Sequence, residues 1–299
     1  IPPRRRGDLD TEGDRMSAQE LEQLVGLLRG GPVSFSAPPQ EMRPVFEGML
    51  VSLPGDESTV TEERELGGVP GLWMGAEGAR ALLYLHGGGY TIGSPLAYRE
   101  FSTQLARTAG ASLFAPDYRL APEHPHPAAL EDALAAYRAL LDLGHAADDV
   151  VVAGDSAGGG LTLALLVAIR EAGLPLPARA VLFSPWLDLT LSGTSVASKA
   201  EADPSLDQAG LAAAAAHYLN GLPAETPAAS PLFADLTGLP PLLIEVGEAE
   251  ILLSDATRLA DRAALAGVDI TLHVWPGMPH VWGLFAAVLG EGREAIEEA

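Results

Sequence analysis

Short apolar runs alternate with helical segments along the chain from residue 81 to residue 274. Each run has only four or five residues, and Glu245 is the only acidic or basic residue in them apart from one histidine. The runs are Ala81–Leu85, Ser112–Ala115, Val150–Ala153, Ala180–Phe183, Leu242–Val246 and Ile270–Val274. The helical segments between them are Pro95–Ala109, Pro127–Leu143, Ala157–Ala172 and Leu252–Ala266. Ser94 is the expected N-cap of the first of these helices. Continuous apolar strands that alternate with helices predict an α/β fold, with a mostly parallel central sheet and helices on both faces.

The part of the chain before residue 81 has a different pattern. Asp14–Leu28 has the apolar spacing of one helix face, and a proline-rich linker follows at Ala37–Pro44. Three runs after the linker have strand character and are separated by glycine and proline; they are Val45–Leu53, Thr59–Leu66 and Val69–Met74. This pattern predicts antiparallel strands joined by turns.

The segment Leu191–Pro231 interrupts the alternation, because it contains a helical run, Leu211–Leu219, and no strand pattern. An insertion of this length in an α/β domain is usually functional. We expect it to form, with the N-terminal helix, a small helical cap above the carboxyl edge of the sheet. The predicted division is cap helices at 1–44, the α/β domain at 45–190 and 232–299, and the cap insertion at 191–231.

Composition excludes several classes of protein. The chain has 299 residues, a formal charge of −22 and no cysteine, so a thiolate nucleophile and a cysteine zinc site are excluded. A strongly negative surface repels phosphate backbones, and we expect no nucleic-acid partner. No apolar stretch approaches the ~18 to 20 residues of a membrane span, and no secretory apolar segment follows Arg4–Arg6. We expect a cytoplasmic protein with no membrane partner, cofactor or metal.

A glycine-flanked serine, Ser156, lies in Gly154–Gly158 (GDSAG), between the apolar strand Val150–Ala153 and a helix. A nucleophile at this point occupies a sharp strand-to-helix turn that projects its hydroxyl above the sheet. Glycine is needed on both sides because a Cβ would clash with neighbouring backbone. The motif alone also fits a glycine-rich turn that binds phosphate, so its interpretation depends on the motifs around it.

A second glycine-rich segment, His86–Gly89, follows the strand Ala81–Leu85. Consecutive glycines let the backbone approach a ligand closely and direct several N–H groups at one point. In an acyl-transfer enzyme this point is the oxyanion of the tetrahedral intermediate. A flexible turn or a phosphate loop is the alternative, but no Gly-Lys-Ser/Thr follows and no lysine is near.

One histidine, His280, lies in a loop between the last predicted strand and the last helix. Such a histidine suits a general base that must reach Ser156, and the order nucleophile, acid, histidine is the one expected for this type of fold. Four other histidines are poorer candidates because they lie in a proline-rich loop, a polar turn or the inserted helix: His124, His126, His145 and His217.

The acid that orients this histidine is expected after a strand between the two. Glu250 lies in the loop after the strand Leu242–Val246, Glu248 at the end of that strand, and Asp255 in the following helix, where it can pair with Arg258 three residues on. Position favours Glu250 and leaves Asp255 and Glu248 open.

Four segments together resemble bacterial esterases of the hormone-sensitive lipase family. They are His86–Gly89 (HGGG), Asp117–Pro125 (DYRLAPEHP), Gly154–Gly158 (GDSAG) and Gly277–His280 (GMPH). The resemblance extends from about Val45 to the end of the chain, and the combination of motifs is highly specific. It implies the α/β-hydrolase fold and a cap built from the N-terminal helices and the insertion.

The resemblance also assigns the site residues. It implies a triad with Ser156 first and His280 last, and an oxyanion hole made by the backbone N–H groups of Gly88, Gly89 and Ala157. Most members of the family have Asp-Pro-Leu at the acid position, where this chain has Glu-Ile-Leu from Glu250. A subset of similar esterases uses glutamate there, which favours Glu250.

The resulting hypothesis is a serine carboxylesterase for short- to medium-chain esters, with a small-molecule ester as its partner. A receptor of the same fold without turnover and an amidase with the same triad are the alternatives. A homodimer through the last strand, Ile270–Val274, and the last helix is possible by this pattern. Five aromatic residues are candidates for an apolar acyl pocket, although a place in the core is the favoured interpretation for each: Phe35, Tyr90, Trp186, Tyr218 and Phe233.

Overall fold

The computed structural model describes residues 12–55, 60–75, 78 and 80–299 of the chain. The basic run Arg4–Arg6 and the first residue of the expected strand Thr59–Leu66 lie outside these residues. Residues 1–11 of the expected N-terminal cap are outside them as well.

Eight strands in the described residues form one sheet. They are β1 (Thr61–Leu66), β2 (Val69–Met74), β3 (Ala81–Leu85), β4 (Ser112–Pro116), β5 (Val150–Asp155), β6 (Arg179–Phe183), β7 (Leu242–Gly247) and β8 (Ile270–Trp275). Their order across the sheet is β1-β2-β4-β3-β5-β6-β7-β8. The pairs β1–β2 and β2–β4 are antiparallel, and all pairs from β4 to β8 are parallel. The mostly parallel sheet is therefore confirmed, and β8 is an edge strand.

The helices of the described residues lie on both faces of this sheet and above one edge. They are α1 (Glu12–Arg29), α2 (Pro39–Val51), α3 (Arg99–Ala109), α4 (Ala128–Asp142), α5 (Ser156–Glu171), α6 (Thr194–Ser198), α7 (Gln208–Leu219), α8 (Leu253–Leu265) and α9 (Gly290–Glu298).

Alternate residues of the central strands pack on opposite faces, as the period of two in a strand requires. Leu83 and Leu85 of β3 pack in a core with residues of α4 and α5. Leu82 and Tyr84 of the same strand pack in a second core with residues of α3 and α9. The all-apolar sequence of β3 thus follows from burial on both faces.

The expected strand Val45–Leu53 is wrong, because these residues belong mainly to helix α2. Phe46 and Leu50, four residues apart, form the buried face of this helix and pack in the core next to α3. Pro39 lies in its first turn, where a proline is tolerated. The run therefore follows the helical period of 3.6, and the helix crosses the expected boundary at residue 44.

The expected start of helix α3 is also displaced. Ser94 Oγ accepts a hydrogen bond from Ala97 N at 3.1 Å, so Ser94 does cap a turn. That turn lies before the helix, which begins at Arg99 with Tyr98 as its N-cap. The capping chemistry of the serine therefore marks the turn that leads into the helix.

The insertion forms α6 and α7 and contains no strand, as expected. Leu211 and Tyr218 of α7 pack in the same core as Tyr90 and Trp186. From the N-terminal segment, Leu24 of α1 packs against residues near the chain end in a separate cluster. From these parts of the chain, Leu28 of α1 and Leu206 of the loop between α6 and α7 line the site described next.

Candidate active site

Ser156 lies at the junction of β5 and α5, in a left-handed backbone conformation with φ of 51°. Non-glycine residues rarely adopt this conformation, and it is typical of functional turns. A Cβ on Gly154 would overlap the carbonyl oxygen of Gly158, and a Cβ on Gly158 would overlap that of Leu85. The two glycines therefore permit the tight approach of helix and sheet that exposes the serine at the edge of a cavity.

The segment His86–Gly89 continues from the end of β3. Gly88 and Gly89 have φ of 109° and 61°, and a Cβ on Gly88 would overlap the carbonyl oxygen of Ile92. The loop closes on itself through hydrogen bonds from Thr91 N and Ile92 N to Gly88 O, both 3.0 Å. Gly88 lines the same cavity as the serine.

Two backbone segments meet beside Ser156. Strands β3 and β5 are neighbours, with Leu85 opposite Gly154, so Gly88 and Gly89 emerge next to the start of α5, where Ala157 lies. The first N–H groups of a helix have no intrahelical acceptor. The arrangement therefore brings the backbone of both segments next to Ser156.

Asp155 joins the two segments, and sequence reasoning missed this role. Its buried carboxylate accepts hydrogen bonds from Gly87 N at 2.7 Å, Tyr84 Oη at 2.5 Å and Tyr98 Oη at 3.0 Å. Burial raises the pKa of Asp155 to about 6, against these hydrogen bonds, which lower it. The only sequence signal was a charged residue inside an otherwise apolar turn.

His86 anchors the loop from its other side. Its ring stacks on Tyr118 with centroids 4.3 Å apart, and Tyr118 Oη donates to His86 O at 2.7 Å. Burial lowers the pKa of His86 to about 4. The ring is therefore neutral near pH 7 and holds the loop in place, which explains the tyrosine of the DYRLAPEHP segment.

His280 lies in the loop between β8 and a short 3-10 turn, and it borders the cavity of Ser156. Its Nδ1 is hydrogen-bonded to Glu250 Oε2 at 2.5 Å. Burial alone lowers the pKa of His280, but the Coulombic attraction of Glu250 and their hydrogen bond outweigh it, so the pKa lies above its usual value. Pairing through Nδ1 leaves Nε2 as the ring nitrogen for proton exchange in the cavity.

Ser184 supports both partners of this pair and was also missed in the sequence. Its Oγ donates to Glu250 Oε1 at 2.8 Å and accepts from Val281 N at 3.1 Å. Gly247 N donates to the same Glu250 oxygen at 2.6 Å. One hydroxyl at the end of β6 thus fixes the carboxylate and the histidine loop together.

The two alternative acids have other partners. Glu248 contacts Lys199 at 3.4 Å on the surface. Asp255 Oδ2 accepts hydrogen bonds from two backbone N–H groups, those of residues 187 and 188. The expected pair of Asp255 and Arg258 is wrong, because Arg258 forms an ion pair with Asp188 at 2.6 Å.

The cavity at Ser156 has a volume of about 90 Å³ and a mainly apolar wall. The apolar side chains come from the N-terminal helices, the insertion and the chain end; they include Leu28, Val33, Phe35, Met49, Leu206 and Leu284. Of the five aromatic candidates, only Phe35 is among its lining residues. Tyr90, Trp186 and Tyr218 are buried in the core instead, and the rings of Tyr90 and Tyr218 stack at 3.8 Å.

One group in the described residues has side chains close enough to hold a metal ion. Glu245 of β7, His273 of β8 and Glu298 of α9 bring one ligand atom each within 4.8 Å of one another. The buried Glu245 carboxylate is already hydrogen-bonded to His273 Nδ1 at 2.9 Å and to Trp275 Nε1. His273 Nδ1 also lies 3.2 Å from Glu298 Oε2, so the cluster is a network that connects the edge strand β8 to β7 and α9.

The fold, the turn at Ser156 and the imidazole–carboxylate pair define an α/β hydrolase, and comparisons with known proteins agree. Residues 82–284 match a family model described as the alpha/beta hydrolase fold. The chain is 48% identical over 254 residues to an acetyl-hydrolase from Streptomyces hygroscopicus, a match that covers 84% of this chain and 83% of that protein. It is 33% identical over 280 residues to an esterase from Acinetobacter venetianus, covering 93% and 92% of the two chains.

Solved structures identify the family of esterases to which the chain is similar. A crystal structure of an esterase from the bacterial hormone-sensitive lipase family matches with a TM-score of 0.90 and 46% identity, covering 94% of this chain and 95% of that one. The chain belongs to the α/β-hydrolase fold family and, within it, to the carboxylesterases of the hormone-sensitive lipase type. The resemblance inferred from the four motifs is confirmed. No helix in the described residues is long and apolar enough to cross a membrane.

Proposed function

We propose that this chain is a serine carboxylesterase that cleaves short- to medium-chain esters through an acyl-enzyme intermediate. Ser156 is the nucleophile, His280 the general base and Glu250 the acid that orients the histidine. The observation that carries the proposal is the 2.5 Å contact between His280 Nδ1 and Glu250 Oε2 at the cavity that Ser156 and Gly88 also line.

The first step is attack of Ser156 Oγ on the ester carbonyl carbon. His280 Nε2 takes the hydroxyl proton as the new C–O bond forms, and the carbonyl oxygen becomes an oxyanion. Backbone N–H groups of Gly88, Gly89 and Ala157 stabilise that charge, each contributing the equivalent of ~10² to 10³ in rate. Their geometry before reaction is fixed by Asp155, so the loop need not reorganise.

The remaining steps complete acylation and then return the enzyme to its starting state. The tetrahedral intermediate collapses, His280 gives its proton to the departing alkoxide, and the alcohol leaves. A water molecule then loses a proton to His280 and attacks the acyl carbon, which forms a second tetrahedral intermediate. Its collapse breaks the bond between the acyl carbon and Ser156 Oγ, His280 returns the proton to Oγ, and the carboxylic acid leaves. Glu250 keeps the ring in one tautomer and stabilises its charged form in both halves.

The cavity supports the short-chain end of the expected range of acyl groups. Its volume of about 90 Å³ holds only a few methylene groups, and its wall is apolar. Part of that wall comes from α1, α2 and the insertion, which lie above the carboxyl edge of the sheet. We therefore assign residues 12–55 and 191–231 to the cap that encloses the acyl chain.

Replacement of Ser156 tests the proposal. Ser156→Ala is expected to abolish hydrolysis of p-nitrophenyl butyrate, with a loss of ~10⁴-fold or more, while Ser198→Ala keeps wild-type turnover because this serine is exposed on α6. Wild-type protein that binds the ester and releases no p-nitrophenol would support the receptor alternative. Turnover of the p-nitroanilide at a rate similar to the ester would support the amidase alternative.

A further inference from the structure

Asp203 lies in the insertion between α6 and α7, and its side chain is almost completely buried. Its Oδ1 accepts hydrogen bonds from Ser205 N and Leu206 N, both at 2.9 Å. Its Oδ2 accepts a hydrogen bond from Ile251 N, also at 2.9 Å. One carboxylate therefore holds two segments of the chain that are 48 residues apart.

Both segments belong to the site. Ser205 and Leu206 line the cavity of Ser156. Ile251 directly follows Glu250 and is fully buried. Asp203 thus connects a piece of the cavity wall to the backbone that carries the proposed acid.

The charge of Asp203 has no basic side chain as a partner among the residues that the structure describes. Lys199, four positions before it, is paired with Glu248 instead. Three backbone donors solvate the buried carboxylate, as in other buried charges that persist without an ion pair. The carboxylate of Asp203 is therefore stabilised by backbone donors but not neutralised by a basic side chain, so its negative charge can stabilise a positive charge on an imidazole.

That imidazole is His280. Three carboxylates attract a positive charge on its ring, each from a different element: Glu250 from the loop after β7, Asp203 from the insertion and Asp155 from the turn before α5. Burial lowers the pKa of His280, and these three charges together raise it above its usual value. Glu250 touches the ring, whereas Asp203 acts without a hydrogen bond to it.

We propose that Asp203 is a positioning residue of this esterase, which ties the cavity wall to the acid loop and stabilises the protonated form of His280 by its charge. This inference rests on the proposed function, in which His280 gains a proton in each half-reaction. The insertion then does more than enclose the substrate, because it supplies a charge that favours the transition state. The charge is held at a fixed place by its three backbone donors.

The pH dependence of kcat/KM for p-nitrophenyl butyrate tests this role. The neutral form of His280 is the active base, so activity falls as pH decreases through its pKa. Asp203→Asn removes one negative charge and destabilises the imidazolium. The acid limb of the profile, where kcat/KM falls with decreasing pH, is therefore expected to move to lower pH by roughly 0.5 to 1 unit. We also expect kcat on the plateau to fall by roughly three- to tenfold, since each pKa unit corresponds to a factor of ten.

Asp207→Asn is the matched control, because Asp207 lies in the same insertion and also accepts a backbone hydrogen bond, from Gly210 N at 2.9 Å. It is not among the groups that raise the pKa of His280. It is expected to lower thermal stability slightly and to leave the acid limb at the wild-type position. Asp203→Glu keeps the charge and is expected to keep the limb within about 0.2 units while kcat falls.

The proposal is overturned if folded Asp203→Asn has its acid limb at the wild-type pH. It is also overturned if the acid limb of Asp203→Glu shifts as far as that of Asp203→Asn. If Asp203→Asn does not fold, Asp203→Ser, which retains a smaller hydroxyl acceptor, is measured in the same way. Different results would refute the proposed function and the role of Asp203. Activity that survives in Ser156→Ala refutes the proposed function, whereas an unmoved limb with an inactive Ser156→Ala refutes only the role of Asp203.

Discussion

Two regions of the site are held together by different forces. The edge region, defined here as Ser156, Glu250, His280 and the loop His86–Gly89, is fixed by hydrogen bonds of defined direction between buried polar groups. The cap wall, defined here as Leu28, Val33, Phe35, Met49 and Leu206, faces the same cavity with apolar side chains. Hydrogen bonds specify positions to a fraction of an ångström, whereas apolar contacts specify mainly volume.

We expect the edge region to determine the rate of the reaction and the cap wall to determine its selectivity for acyl chains. Changes in the edge region are expected to lower kcat, because they disturb groups that must align in the transition state. Changes in the cap wall are expected to alter which acyl chain fits and to leave kcat nearly constant for the best substrate. Asp203 connects the two regions, and it is the residue of the insertion that we expect to affect kcat.

After the loss of the nucleophile in Ser156→Ala, the largest effect is expected for Glu250→Gln. The amide keeps the shape of the side chain but cannot hold the ring tautomer or stabilise imidazolium, so kcat should fall by about 10³- to 10⁴-fold. Steady-state kinetics with p-nitrophenyl butyrate measures it. Asp255→Asn is the control, since one amide oxygen can still accept both backbone hydrogen bonds that reach Asp255 Oδ2. A severe loss in Asp255→Asn with an active Glu250→Gln would reassign the acid.

A smaller effect is expected for Asp155→Ala. It leaves Gly87 N and the hydroxyls of Tyr84 and Tyr98 without their acceptor, and a buried unpaired polar group costs about 1 to 3 kcal/mol. The loosened loop should lower kcat by about 10- to 100-fold, since removal of one oxyanion donor alone costs ~10²-fold or more. Denaturant unfolding measures the loss of stability, and steady-state kinetics measures the loss of kcat. Asp155→Asn, which keeps one acceptor oxygen, should lose much less of both; equal losses in the two variants would contradict this explanation.

The pH profile of the wild-type enzyme reports the charge balance of the edge region. The facing carboxylates raise the pKa of His280 above the usual 6.5 despite its burial. Since only the neutral ring accepts the serine proton, kcat/KM should decline by about tenfold per pH unit below that pKa. An acid limb centred well below pH 6.5 would show that burial dominates instead.

The smallest effect is expected for Phe35→Ala in the cap wall. The Phe35 ring packs against Gly89, where an added Cβ would come within 2.9 Å of it. Its removal enlarges the cavity and should raise kcat/KM for the octanoate ester relative to the butyrate ester by roughly 10-fold, with kcat for butyrate changed less than threefold. Phe233→Ala is the control, because Phe233 is not among the lining residues. A loss of kcat with unchanged chain preference would contradict the separation of rate and selectivity.

Features of the site that depend on neighbours in the sequence were predictable. The strand-to-helix turn at Ser156 requires glycine at 154 and 158 for steric reasons that act within a few residues. Apolar strands buried on both faces identified the parallel sheet. Glu250 was favoured over two alternatives by its place after β7, and the structure brings it to His280.

Features that depend on distant partners were not predictable. Ser184 contacts Glu250 across 66 residues, and Asp203 contacts Ile251 across 48, with no local pattern that marks either contact. Helix α2 was taken for a strand because Val45–Leu53 is short and apolar, and only tertiary burial of Phe46 and Leu50 resolves its period. The aromatic residues in the sequence did not reveal which of them line a pocket and which lie in the core.

The most direct test of the account is the covalent intermediate itself. Wild-type protein mixed with p-nitrophenyl butyrate and quenched in acid within the first turnovers should carry one butyryl group, and peptide mass spectrometry should place it on the peptide that contains Ser156. Ser156→Ala should carry none. A butyryl group on another residue, or rapid hydrolysis with an unmodified Ser156 at every quench time and no burst of p-nitrophenol, would contradict nucleophilic catalysis by this serine.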